Sequence, residues 1–524
     1  MKIPPSEQQF STQLSPDKEE KNYRRQVLEA HFSYVSPKRF QNPKVIHINT
    51  KLAQELGFNF DKIDDTNFRD LMTGRIDFQE YKSFSMCYGG HQFGHWAGQL
   101  GDGRAITIAE LKTAEKTISL QLKGAGETPF SRTADGFAVL RSSIREYLCS
   151  HAIKQLGVPT TEALALHLTG EKVHRDPFYD GRVIAEKGAV VCRTSESFVR
   201  FGNFEILAAR KDLKNLKLLA DYCCDFYYKS ETQAFEGKAK YLQFFKSVAQ
   251  RTLDLVVDWQ RVGFVHGVMN TDNMSIVGET IDFGPYGWLE AYDPNWTPNL
   301  TDAQNKRYRF GNQMNIALWN LVKLANALFP LLNEATGLEA ILEESVQEVK
   351  AAYFEMMKSK LGLQESKATD EGLIQNLEEL LEDFKPDYTL FFRYLSSFSV
   401  QDRVEESWEN ISPAFYDLET LSQAQKDDWM RWFEAYKNRL GEEQGSESER
   451  HQAMKLVNPK YVLRNYMAQL AIEAADNADY SVIEDLFELL KSPYAEQKDQ
   501  EKWFAKQPEW AKTKAACSQL TCSS

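Results

Sequence analysis

The sequence predicts an α+β chain, and three observations carry that expectation. Residues 80–205 hold apolar, strand-like runs such as Ala105 to Leu111, Thr117 to Lys123 and Ala163 to Leu168. From about residue 205 the apolar residues recur with helical spacing. Between two of those helices lies a polar stretch, His266-Gly267-Val268-Met269-Asn270-Thr271-Asp272-Asn273, followed by Asp282-Phe283-Gly284. The expected organisation is an N-terminal extension over 1–79, a β-rich unit over 80–205, a helical unit over 206–340 and a helical extension over 341–524.

Composition narrows the class. A chain of 524 residues exceeds one ordinary domain, and length alone suggests roughly three or four units. With 42% hydrophobic and 26% charged residues it reads as globular, with no apolar run expected to cross a bilayer. The net charge of -13 argues against a nucleic-acid binder, whose footprint is basic. Met1 to Lys21 mixes Lys, Glu, Asp and Pro without an apolar core, so a cytoplasmic setting is expected. Cys87, Cys149, Cys192, Cys223, Cys224, Cys517 and Cys522 show no zinc-like spacing and are expected as reduced thiols.

Taken in order, residues 1–80 form an irregular entry with short helices, one over Asn49 to Leu56 stopped by Gly57. His91 and His95 have the spacing of metal ligands on a helix but lack the acidic partner of an H-E-x-x-H pattern, so a structural role is expected. Gly101-Asp102-Gly103-Arg104 opens a hairpin of Arg104 to Leu111 and Thr117 to Lys123. Its glycines could admit a phosphate to backbone N–H groups, although on this motif alone a tight turn is the better reading. Phe137 to Leu156 is a helix, with Leu140, Ile144, Tyr147, Leu148 and Ile153 on one face and Gly157 as its stop. Glu146 on that helix is placed to pair with Lys123, and the loop Gly124 to Gly136, including Asp135, could close over a ligand. Arg193 and Arg200 suit bidentate phosphate contacts. Helices are expected over Phe204 to Tyr228, Tyr241 to Val262, Gly311 to Leu328, 335–361, 371–384, 424–440, 459–475 and 480–491. Gly441 to Glu449 reads as a polar loop.

The polar stretch carries the chemistry. Protein kinases use a loop H-R-D-x-x-x-x-N followed by D-F-G, whose Asn and second Asp hold the metal ions on the nucleotide phosphates. Here His266, Asn273 and Asp282 fill three of those positions, while Val268 stands where the catalytic Asp belongs. Asp272 is the nearest carboxylate able to replace it. A strand over Met274 to Val277, a turn at Gly278-Glu279 and a return through Thr280-Ile281 should bring Asn273 and Asp282 together around a divalent ion. The expected architecture is therefore a two-lobed protein-kinase-like (pseudokinase) fold with a helical C-terminal extension.

Longer motifs sharpen this. HQFG at 91–94, QLGDGRA at 99–105, LQLKGAGETPFSRTADG at 120–136, RFGNFE at 200–205 and HGVMNTDNMSIVGETIDFGPYG at 266–287 resemble the SelO family of protein adenylyltransferases from about residue 30 to the C-terminus. The resemblance implies transfer of AMP from ATP to Ser, Thr or Tyr hydroxyls of proteins, with pyrophosphate leaving and the nucleotide inverted relative to kinases. UMP from UTP is a close variant. It also implies that Lys123, Arg193 and Arg200 bind phosphates and that Glu146 holds Lys123. Gly101, Gly103, Arg104, Asp135 and Gly136 would line the nucleotide pocket. Asp272 would be the base, and Asn273 and Asp282 would hold Mg2+ or Mn2+. Two departures stand out: Gly98 replaces an expected proline, and Gly284 to Arg309 lacks the cysteine that some relatives tie to a C-terminal one. Two other readings are a phosphotransferase using Asp272 as displaced base and a non-catalytic nucleotide-binding scaffold.

Overall fold

Strand-like runs of the first 200 residues assemble into one antiparallel sheet in a computed structural model that describes residues 3–59, 65–176, 181–514, 517 and 520–521. Its strands begin with β1 (Ser6–Glu7), β2 (Phe32–Tyr34), β3 (Lys44–Ile48) and β4 (Phe84–Met86). A separate two-stranded ribbon, β5 (His91–Gln92) and β6 (His95–Trp96), comes next. The sheet resumes with β7 (Ala105–Lys112), β8 (Thr117–Lys123), β9 (Ala138–Val139), β10 (Glu162–Arg175) and β11 (Ile184–Ser195). Along the sheet the order is β2-β4-β7-β8-β11-β10-β3, with β1 on β7 and β9 on β11. Residues 1–80 therefore do more than lead in, because β1, β2 and β3 pair within this sheet. Their brevity hides them from a period-two search.

The β7–β8 hairpin forms as expected, with Ala105 opposite Lys123. The helix Leu140–Gln155 packs across β10 and β11, and its buried set runs nearly all round it. That follows from a second cover. Helices Asn465–Asp476 and Ser481–Leu490 lie on its other side, where His151 Nε2 meets the Phe487 carbonyl at 3.0 Å and stacks on the Phe487 ring. The C-terminal region thus braces the helix that carries Glu146.

Beyond the sheet the chain is helical, with differences from expectation at the ends and breaks. The helix over 204–228 divides into Phe201–Ala209 and Leu213–Phe226, because Lys211 takes φ +57 and Asp212 caps the second helix by accepting from Asn215 N. Gly237–Val262 ends on Gly263 at φ 72, a left-handed cap that suits glycine. The helix expected over 459–475 starts only at Asn465, and an unanticipated helix, Glu447–Val457, begins in the last three residues of the expected polar loop, whose residues 441–446 are irregular as expected. Tyr388–Leu395 and Val404–Ile411 were not anticipated; at eight residues each they are too short for a clear helical period.

Two further expectations are corrected. Met274 to Val277 does not pair with Thr280-Ile281 as a hairpin. Ser275 instead bridges Arg200, and Thr280 bridges Thr160, so the segment is held by the sheet's neighbours. One apolar run, Phe310–Leu332, does have membrane-spanning length, with a mean hydropathy of 1.3 and half of its window buried. In the fold it braces the polar loop. Gln313 accepts from His266 N and donates to the Phe264 carbonyl, and Asn320 donates to the Met269 carbonyl. Buried apolar residues form one dominant cluster from Phe10 to Cys517.

Candidate active site

Strand periodicity sets one wall of the site. Gln121 and Lys123 are two apart on β8, and Arg193 on β11 lies opposite Gln121, so the three share a face. Lys123 Nζ meets Glu146 Oε2 at 2.6 Å, as the sequence expects, and Arg193 reaches Glu146 Oε1 at 3.0 Å. Asp282 enters from the opposite side at φ +57, a conformation costly for a side-chain-bearing residue. Its Oδ1 lies 2.6 Å from Arg193 Nη1 and 3.5 Å from Lys123 Nζ, and Arg200 bonds its Oδ2. Arg200 also donates to the Asp272 carbonyl at 2.7 Å and faces Asp102 at 3.7 Å. Three cations thus face Glu146, Asp282 and Asp102; Arg193, Arg200, Glu146 and Asp102 are buried, while Lys123 and Asp282 are partly exposed.

Burial alone would raise the Asp282 pKa, but Arg200, Lys123 and Arg193 outweigh it and hold the carboxyl well below its usual range. The same burial lowers the Lys123 pKa despite Glu146 and Asp282. Guanidinium and ammonium groups converging this way suit a polyphosphate.

The polar loop reads differently. His266 is buried, its Nε2–H donating to the Ile281 carbonyl at 2.8 Å while Nδ1 accepts from Val268 N. Burial lowers its pKa, so it is a neutral brace between the loop and Asp282. Asn273 donates its amide N–H to the Val268 carbonyl at 2.8 Å, which leaves its amide oxygen available to a cation. Asp272 is 7% exposed; Oδ2 accepts from Gln92 at 3.1 Å and Oδ1 is buried with no partner. Burial pushes its pKa up to about 6, against the opposing pull of Gln92 and Arg200.

The β5–β6 ribbon docks on this loop. His91 N donates to Thr271 Oγ1 at 2.7 Å, and Phe93 N donates to Asn270 Oδ1 at 3.1 Å. Close approach demands glycine: a Cβ on Gly90 would lie 2.9 Å from Asp272 Oδ1, and one on Gly202 would lie 2.1 Å from the Gly89 carbonyl. His91 and His95 sit on this ribbon, not on a helix, and His91 bonds Glu205.

The remaining expected pocket residues are distributed unevenly. Arg104 lines a cleft with Lys123, Glu146, Ser142, Ser143, Phe283 and Gly284. Gly101 and Gly103 pack under the 124–136 loop, where a Cβ on Gly101 would lie 2.4 Å from Phe130. Gly136 abuts the Gly126 backbone, and Asp135 pairs with Arg175 at 2.7 Å. Gly98 adopts φ +73, which proline cannot, so the expected proline would not fit this turn. Asp102, Gln121 and Gln92 escaped the sequence reading. Gln121 shares the Lys123 strand face, Asp102 sits between two glycines, and Gln92 lies inside HQFG, so each had a signal. The described cysteines are free and buried, and Cys522 lies outside the described residues.

Among the described residues no three His, Cys, Asp or Glu side chains form a metal cluster. Asn273, with its amide oxygen left available, and Asp282 are nonetheless hard oxygen donors of the kind that suits Mg2+ or Mn2+ when phosphates and water complete the shell. The residues present fit such an ion.

Cations converging in this way suit phosphate chemistry, and comparison with known proteins supplies the class, a nucleotidyltransferase. The family model "Protein adenylyltransferase SelO" matches residues 18–491. A Flavobacterium johnsoniae protein named protein nucleotidyltransferase YdiU is 54% identical over 98% of each chain. Proteins of the same name from Rhodopirellula baltica and Nitrosospira multiformis are 47% and 46% identical, over 98% of this chain and 98% and 95% of theirs. The chain belongs to the SelO family of protein adenylyltransferases and is a nucleotidyltransferase.

Proposed function

We propose that the chain transfers AMP from ATP to Ser, Thr or Tyr hydroxyls of proteins, UMP from UTP being a close variant. The observation that carries this reading is the division between Asp282, saturated by Lys123, Arg193 and Arg200, and Asp272, which keeps one buried oxygen free. Lys123, Arg193 and Arg200 bind the phosphates, Glu146 positions Lys123, and Arg104 lines the entrance. Gly101, Gly103, Asp135 and Gly136 shape the loop above them. The acceptor oxygen bonds to the α-phosphorus as the bond to the bridging oxygen breaks; its proton passes to Asp272 and pyrophosphate leaves. Asn273 and Asp282 would hold Mg2+ or Mn2+, which offsets the phosphate charge in the transition state. The need for that cation follows from charge: three cations already face three carboxylates, so a triphosphate adds uncompensated negative charge.

The reading extends to the architecture. A strand lysine paired to a helix glutamate, with Asn273 and Asp282 across the cleft, supports a kinase-like core with lobes over 80–205 and 206–340. Residues 1–79 and 341–524 are its extensions. Val268 is accounted for, since a nucleotide bound in the inverted sense moves the reacting phosphorus away from that position.

The test is to supply Mg2+ and ATP labelled on the α or the γ phosphate. Protein-bound label from α alone supports the reading, while label from γ alone returns Asp272 to a kinase role. Asp282→Asn accompanies Asp282→Ala, because removing the whole carboxyl strands buried arginines and endangers the fold.

A further inference from the structure

Next to Asp272 lies a surface outside the residues proposed to bind the nucleotide. It is formed by the β5–β6 ribbon, Arg307 and the helix Gln313–Leu332. The His91 ring lies 5.3 Å from Trp96 and 5.5 Å from Trp319. Arg307 and Lys323 each sit 4.5 Å over the Trp319 ring, so two cations flank one indole. Trp96 is 39% exposed.

These cations lack the partners that an acidic protein could readily supply. Neither forms an ion pair with a carboxylate among the described residues, although the Arg307 charge is felt at Asp302. Asp302 spends its oxygens on the N–H groups of Arg307 and Tyr308, at 2.9 and 2.7 Å. Glu205, the other nearby acid, is tied to His91 and Thr271. The Arg307 Nε–H is buried with no acceptor. In a chain of net charge -13 this is a local excess of positive charge. It is also coupled to the proposed base: Gln92, beside His91, lies 3.1 Å from Asp272 Oδ2, and His91 N is bonded to Thr271.

We infer that this platform seats the acceptor, a protein segment whose hydroxyl reaches Asp272 while a flanking acidic side chain pairs with Arg307 and Lys323. The inference rests on the nucleotidyl-transfer reading above. Trp96 and Trp319 supply contact area that tolerates varied sequence. The charge pair supplies discrimination, worth about fivefold at a partly exposed site.

The test uses α-labelled ATP and synthetic peptides that carry one Ser, Thr or Tyr and differ only in having Glu or Lys beside it. The wild-type enzyme should modify the Glu peptide with kcat/KM about fivefold higher, chiefly through KM. Lys323→Glu should reverse the order and Arg307→Ala should flatten it, neither of which a merely structural role would produce. Label on the enzyme with equal labelling of both peptides overturns the platform and leaves the transfer reading intact. A Glu preference that survives Lys323→Glu overturns it as well. If no α-label reaches the enzyme or any peptide, the transfer reading falls and the platform falls with it.

Discussion

Asp272 and Asp282 are ten residues apart, the first buried and the second partly exposed, both beside Arg200, yet their environments drive them in opposite directions. Asp282 has a cation on each oxygen and a pKa held well below the usual range despite its burial. Asp272 has one amide donor, one bare oxygen and a pKa pushed by burial to about 6. Environments that separate two acids assign them roles. A carboxylate that stays ionised suits clamping a cation, and one poised near neutrality suits taking a proton.

The comparison breaks most severely at Asp282. Asp282→Ala removes the carboxylate that Arg193 and Arg200 share, leaving Arg193 only Glu146 and Arg200 only the more distant Asp102, and should cost about 3–5 kcal/mol in chemical unfolding. Asp282→Asn should fold better yet lose at least about a thousandfold in α-label transfer. Asp272→Asn should lower kcat by about 10²–10⁴ with the fold intact. Lys123→Ala strands buried Glu146 beside Arg193 alone, and kcat/KM should fall about a hundredfold, measured by initial rates at low ATP.

Proton linkage sharpens the contrast. The raised Asp272 pKa contributes stability below its unfolded value and loses it as pH rises through about 6. Asp272→Asn should therefore unfold at a higher temperature than wild type at pH 8, by about 1–3 kcal/mol in stability, with the gain gone by pH 4. Wild-type kcat/KM should fall about tenfold per unit below pH 6, because only the carboxylate accepts a proton. The smallest effect is expected at Gln92: Gln92→Leu should lower kcat by about tenfold with little change in ATP affinity.

Much of this site was legible because its chemistry sits in short motifs. Lys123 and Glu146 could be paired from a strand end and a helix face, and the structure joins them at 2.6 Å. Asn273 and Asp282 were visible as a kinase-like pair, but the hairpin expected to join them was not formed. Ser275 and Thr280 pair instead with Arg200 and Thr160, partners 75 and more residues away, which local periodicity cannot reveal. The same reason hid β2 and β3, whose short runs become strands only through distant neighbours. Trp319 and Lys323 read simply as part of an apolar helix, and only the fold sets them against His91.

The division of labour is tested most directly by measuring ATP affinity with Mg2+ and single-turnover transfer side by side for Asp272→Asn and Asp282→Asn. The account predicts that Asp272→Asn binds Mg-ATP within about threefold of wild type but barely transfers AMP, while Asp282→Asn loses the Mg2+-dependent part of its affinity. Retained transfer by Asp272→Asn, or wild-type Mg-ATP affinity in Asp282→Asn, would contradict it.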